Sequence, residues 1–226
     1  GCGLSFDLML LRNVLVLLLV VCLHSVGRAQ NLVPNGSFED YYECPTTPAQ
    51  WNRVQEWTSP WLSSADYFNS CSGGVVAGVP FNQCGYQEAA HGQAYMGMIN
   101  YIDNAPTYRE MISIELMEPL QIGVPVCLSF KVATGGFGSA SNNSGYYTSR
   151  GMGMKFFVDM PTDWFSYLFP PDIPLYAEEV LTDTAIWYTI SGEYTPDSAY
   201  THLVMGNFLP DSLSGVVRLD SSGFGT

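Results

Sequence analysis

From Gln30 onward, Gly, Pro, Asn and Ser interrupt the chain so often that apolar residues never keep a helical period for long. Short apolar runs between such residues are the pattern of an all-β fold, because a strand needs only about four to eight residues and turn formers reverse the chain. The clearest run is residues 124–132, where Val124, Val126, Leu128, Phe130 and Val132 alternate with Pro125, Cys127, Ser129 and Lys131. Successive side chains on a strand point to opposite faces, so this period of two puts one face in a core. The same reasoning predicts strands over residues 31–38, 94–99, 108–116, 153–158, 187–194, 202–208 and 216–219. Met111, Ile114 and Met117 recur at three-residue spacing, as a helix would place them. The alternation of Ile112, Ile114 and Leu116, with Pro119 close behind, favours a strand instead. Residues 39–82 and 159–184 resist strand assignment. Loops this long in a compact domain are usually binding or capping elements, and the aromatics in both argue for order.

Ahead of this region lies a different kind of sequence. Met9 is the first methionine, and residues 1–8 read as translation upstream of a start codon. One early charge, Arg12, precedes an apolar run over residues 14–23, and the small residues Gly27 and Ala29 flank Arg28 at its exit. That order predicts a secretory signal peptide cleaved after Ala29. The apolar run is shorter than the roughly 20 residues a membrane-spanning helix needs. Val21 is too bulky to precede a lipidated Cys22. The expected organisation is therefore residues 1–29 as upstream residues and signal, then residues 30–226 as one exported domain without a membrane span.

Charge narrows the partners. Arg12 and Arg28 of the 8 basic residues, and Asp7 of the 21 acidic ones, fall within residues 1–29. The remainder carries 6 basic against 20 acidic groups, a net charge of −14. Such a surface repels phosphate backbones and argues against nucleic acid as a partner. It suits an extracellular protein that meets cations or neutral ligands such as sugars. Cys44, Cys71, Cys84 and Cys127 remain after cleavage, and an even count in an exported chain suggests two disulfides with three connectivities open. No C-x-x-C occurs, and His91 and His202 stand alone, so zinc is not expected.

No residue set reads as catalytic. The chain lacks a G-x-S-x-G elbow, and Gly135-Gly136-Phe137-Gly138 is followed by no P-loop lysine and reads as a turn. Glu178-Glu179 reads as a solvated acidic loop, and Arg109-Glu110 as an ordinary surface pair. Binding has more behind it. Tyr41, Tyr42, Trp51, Trp57, Trp61, Tyr67 and Phe68 crowd into one irregular stretch. Flat apolar faces with polar tips stack on sugar rings. Trp57, Trp61 and Tyr67 are the candidate stacking residues, with Asp66 and Asn69 as polar partners. The alternative is that these aromatics plug one end of the fold and never meet solvent.

Asn31-Leu32-Val33-Pro34-Asn35-Gly36-Ser37-Phe38-Glu39 resembles the opening strand of galactose-binding-like jelly-roll modules, which include many carbohydrate-binding modules. Asp66-Tyr67-Phe68-Asn69-Ser70-Cys71, Val79-Pro80-Phe81-Asn82, Gly85-Tyr86-Gln87 and Gly92-Gln93-Ala94-Tyr95-Met96-Gly97 follow in order. With Tyr108-Arg109-Glu110, Pro119-Leu120 and Met205-Gly206-Asn207-Phe208, the series is similar to a family of secreted surface proteins of gliding Bacteroidota. The similarity covers nearly all of residues 31–226. It implies a jelly-roll β-sandwich at the outer-membrane cell surface. In the family this domain often continues into a gliding-motility-associated or type IX sorting region, or a peptidoglycan-binding domain like that of outer membrane protein A. A last strand would follow Gly223-Phe224-Gly225, so the chain resembles a fragment truncated before it, with an open sheet edge.

The resemblance also implies a non-catalytic module that binds a glycan or another cell-envelope component, for adhesion or for anchoring a larger surface protein. A structural spacer in a cell-envelope protein, or an accessory domain of an extracellular hydrolase, are the alternatives. Related jelly rolls often hold a structural calcium between the Glu of the opening motif and an acid on the last strand; Glu39 matches the first half. Cys44 and Cys71 stand where the family often has cysteines, and pairing them would close the Trp-rich loop. Cys84 and Cys127 are extras, expected to pair because Cys127 points to the less apolar face of its strand. Asp183-Thr184-Ala185, Asp197-Ser198-Ala199 and Asp211-Ser212-Leu213 match a short O-glycosylation pattern of that group.

Overall fold

The computed structural model describes residues 30–60, 63–74, 76–102, 108–134, 147–160 and 173–219. Residues 1–29, Trp61, the turn expected at Gly135-Gly136-Phe137-Gly138 and residues 220–226 lie outside them. The unit that begins at Leu32 is all-β. Its strands are β1 (Trp57–Thr58), β2 (Asp66–Asn69), β3 (Phe81–Asn82), β4 (Gly85–Tyr86), β5 (Ala94–Gly97), β6 (Ile112–Glu115) and β7 (Val126–Val132). Then come β8 (Tyr147–Thr148), β9 (Met152–Phe157), β10 (Leu175–Tyr176), β11 (Tyr188–Tyr194), β12 (His202–Asn207) and β13 (Val217–Arg218). Among the described residues no helix is long and apolar enough to cross a membrane.

The largest sheet has the order β1-β6-β12-β9-β10, all antiparallel. Register explains its composition. Leu203 lies between Ile114 and Phe156, and Met205 between Ile112 and Met154, so these apolar side chains share one face. That face packs on Leu128 and Phe130 of β7 and on Tyr67 and Ala94 of the β2–β5 pair. The result is a sandwich-like pair of layers around one core. Each side chain fully withdrawn from water there contributes about 1.5–3 kcal/mol. The opposite face of β12 is covered too, by a smaller cluster in which Val204 meets Met111 and Phe208. This is why β12 shows no clean alternation of burial. Gly206 allows that second cover, because a Cβ there would come within 2.7 Å of the Met111 side chain.

β7 and β11 pair over seven residues each. Leu128 and Phe130 point to the core, whereas Cys127, Ser129 and Lys131 face solvent, as the alternation requires. Val124 is outside the strand and exposed, because the chain is still turning there, with the Val124 amide donating to the Gln121 carbonyl.

The predicted strand over residues 31–38 is not formed. Asn35 and Phe38 have φ of 44° and 64°, and the Phe38 amide closes a turn on the Asn35 carbonyl. The Asn35 side chain holds this turn, donating to the carbonyls of Asp40 and Gln55 and accepting from the Asp40 amide. Asn tolerates the left-handed region because its short amide bonds locally, and here that preference outweighs the apolar pattern.

The Cys44–Cys71 disulfide is present, with Cα atoms 5.9 Å apart. The second expected bridge is not: Cys84 and Cys127 both stand as thiols. Strand alternation turns Cys127 out to solvent opposite Glu193, while Cys84 packs with Phe68 and Tyr95.

Candidate functional site

Of the stacking residues expected from the sequence, the two that are described, Trp57 and Tyr67, are core. Trp57 is 4% exposed; its ring lies 5.1 Å from Phe38 and its indole N–H donates to the Asn35 carbonyl. Tyr67 is fully buried, donates its hydroxyl proton to the Phe38 carbonyl over 2.9 Å and accepts from the Asn69 amide over 2.7 Å. Loss of water raises its pKa to about 12. Asn69 is 1% exposed and also receives the Cys71 amide. These three therefore form no face for a ligand. They join the opening turn, β1 and β2 into the core, which is the plug reading of the same aromatics.

Asp66 is half-buried on the other side of β2. One carboxylate oxygen accepts the Ala49 amide over 2.6 Å, and the other faces the Cys84 thiol at 3.8 Å. Burial, reinforced by the charge of Glu110, lifts its pKa from 3.8 to about 6. Glu110 and Arg109 are 2% and 1% exposed, so the pair read as a surface feature is buried. The two side chains are bonded to different segments. Glu110 accepts from the Ile99 amide and the Ser64 hydroxyl, whereas Arg109 pairs with Asp211 and donates to the Tyr108 carbonyl. Each clasps a loop to the core through charge-assisted hydrogen bonds.

Glu39 is a clasp as well. One oxygen accepts the amides of Gln93 and Ala94 at 2.8 and 3.1 Å, against Gly92 in a left-handed turn (φ 66°). A side chain on Gly92 would collide with that carboxylate. Calcium takes six to eight oxygens. Glu39 has one oxygen already committed to amides, and among the described residues no group of three His, Cys, Asp or Glu is placed to hold a metal.

Among the aromatics the fold presents to solvent, beside Tyr42, is a pair on the β3–β4 hairpin. Phe81 and Tyr86 are cross-strand partners, 51% and 41% exposed, with ring centroids 4.7 Å apart and planes at 79°. Beneath them the hairpin is firmly held. Asn82 is buried, accepts the Cys84 amide, and donates to the Tyr95 hydroxyl over 2.6 Å and to the Gly78 carbonyl. The Gln87 amide bonds the Pro80 carbonyl, and the Gln83 amide the Val76 carbonyl. Tyr86 donates its hydroxyl to Glu88, whose own carbonyl accepts the indole N–H of Trp187. Trp187 in turn packs edge-on against Tyr95. Two exposed rings thus stand on a rigid, hydrogen-bonded base.

The sequence held a signal for this hairpin. Phe81 and Tyr86 flank Asn82-Gln83-Cys84-Gly85, and Asn and Gly are turn formers, so pairing across a tight turn puts both rings on one side. Attention to aromatic density alone passed them over. Compared with known proteins, the chain matches no family model, no curated protein and no solved structure.

Proposed function

We propose that this chain is an exported, non-catalytic surface module that binds carbohydrate, with a jelly-roll β-sandwich of galactose-binding-like type. In this reading it serves adhesion or anchors a larger surface protein, and residues 1–29 direct its export. The observation that carries it is the Phe81–Tyr86 pair: two adjacent exposed rings, fixed from below, at a spacing a sugar chain can engage. The order of motifs in residues 31–226 and the acidic surface support the same class. The burial of Trp57 and Tyr67 favours the rival, a structural spacer, because it removes the ligand role that the sequence suggested for these two rings.

A glycan array with the whole chain, followed by Phe81→Ala and Tyr86→Ala, separates the two. A binding module gives array signals that either substitution abolishes while the melting temperature holds. A spacer gives no signal on a broad array.

A further inference from the structure

We infer that the Phe81–Tyr86 face takes saccharides that carry no negative charge, an inference that rests on the carbohydrate reading above. No lysine or arginine occurs between Arg53 and Arg109, the stretch that builds the hairpin and its base, whereas Glu56, Asp66, Glu88 and Asp103 do. Trp187 comes from a second such stretch, between Lys155 and Arg218.

The described cations come from other segments of the chain. Arg53 pairs with Glu43, Arg109 with Asp211, and Lys155 lies over the Phe157 ring. Arg150 bonds the Leu213 carbonyl and Arg218 sits on β13. Lys131 lies opposite Thr189, two residues past Trp187, on the solvent face of the β7–β11 pair. In the hairpin's own stretch, His91 is the one side chain that can become positive by taking up a proton.

Two effects then act in the same direction. An aromatic ring presents a negative face, which attracts the polarised C–H groups of a sugar or an ammonium and repels a carboxylate. The acid at the rim, Glu88, is hydrogen-bonded to Tyr86 itself, so its charge stands beside the ring. Recognising a uronic acid or a sulfated sugar would call for a cation to offset this field, and the hairpin's own residues include no lysine or arginine. Uncharged and amino-bearing sugars meet no such opposition.

Calorimetric titration of the whole chain with four soluble hexamers tests this: glucose, N-acetylglucosamine, glucosamine and galacturonic acid. At least one of the first three should bind and be lost with Phe81→Ala. The galacturonic acid hexamer should bind at least about tenfold more weakly at low salt, with the gap narrowing as salt screens the repulsion. Equal or tighter binding of that hexamer, lost with Phe81→Ala, would overturn the charge selection and leave the carbohydrate reading standing. Binding of none of the four would overturn both.

Discussion

Asn82 donates its side-chain amide to the Tyr95 hydroxyl over 2.6 Å while its side-chain oxygen receives the Cys84 amide, so one buried residue ties the hairpin turn to β5. Asn69 makes the same pair of bonds at the end of β2, to Tyr67 and to the Cys71 amide. Asn207 repeats half of it at the end of β12, where its oxygen receives the Leu209 amide. Each strand end is closed by a buried Asn whose side-chain oxygen satisfies a backbone donor two residues on.

Asn82→Ala leaves the Cys84 amide and the Tyr95 hydroxyl without these partners in a buried site. A cost of about 2–3 kcal/mol is expected in chemical denaturation. Because the hairpin loses its base, saccharide binding should weaken alongside. Unchanged stability would show that the bond to Tyr95 is dispensable.

Asp66 makes stability depend on pH in a direction opposite to that of a salt-bridged carboxylate. Its folded pKa of about 6 lies above the ordinary 3.8. Between those values the folded chain holds a proton that the unfolded chain has released, so this group's contribution falls as pH rises through that window. Asp66→Asn keeps an oxygen for the Ala49 amide and removes the charge. It should stabilise the protein at pH 7 by about 1–2 kcal/mol, discounted for the water that still reaches the group, and have little effect below pH 4. Destabilisation by Asp66→Asn at pH 7 would mean that the charge is favourable where it sits.

Arg109 and Asp211 form a pair with one member buried, and removing either should not be equivalent. Asp211→Asn leaves a buried guanidinium without its counter-charge and should cost about 3–5 kcal/mol. Arg109→Met replaces the charge with an apolar chain of similar length, and Asp211 is near enough to solvent to hydrate. Its cost should be smaller. Equal losses in thermal melts would place the stabilisation in packing rather than in charge.

Non-reducing peptide mapping of the protein should find the Cys44–Cys71 peptide pair and alkylated thiols at Cys84 and Cys127. Loss of the bridge through Cys44→Ser should lower stability by about 2–4 kcal/mol. A Cys84–Cys127 peptide would contradict the placement of Cys127 on the outer face of β7.

Apolar runs bounded by turn formers were a sound guide: β7, with its period-two alternation, and the less regular β9, β11 and β12 lie within a residue or two of their expected bounds. It was a poor guide where a side chain bonds its own backbone. Asn35 turns an apolar run into a tight turn, and Asn82 makes a hairpin in a stretch read as loop. Burial was legible only in part. Trp57 and Tyr67 carry polar tips that suggested a ligand, yet both tips bond backbone carbonyls inside the domain, which a linear pattern does not display. Arg109 and Glu110 look alike in any charge count whether they face water or each clasps a loop.

In the proposed reading the exposed Phe81–Tyr86 pair is the binding face, whereas Trp57 and Tyr67 belong to the core. Parallel measurement of saccharide affinity and melting temperature for Phe81→Ala and Trp57→Ala tests it most directly. Phe81→Ala should lose binding by about tenfold or more with little change in melting temperature, since a half-exposed ring adds little to the core. Trp57→Ala should lose about 3–5 kcal/mol of stability. Where it still folds, it should keep its affinity. A Phe81→Ala protein that binds as tightly as the parent chain, beside a folded Trp57→Ala protein that has lost its ligand, would contradict the account.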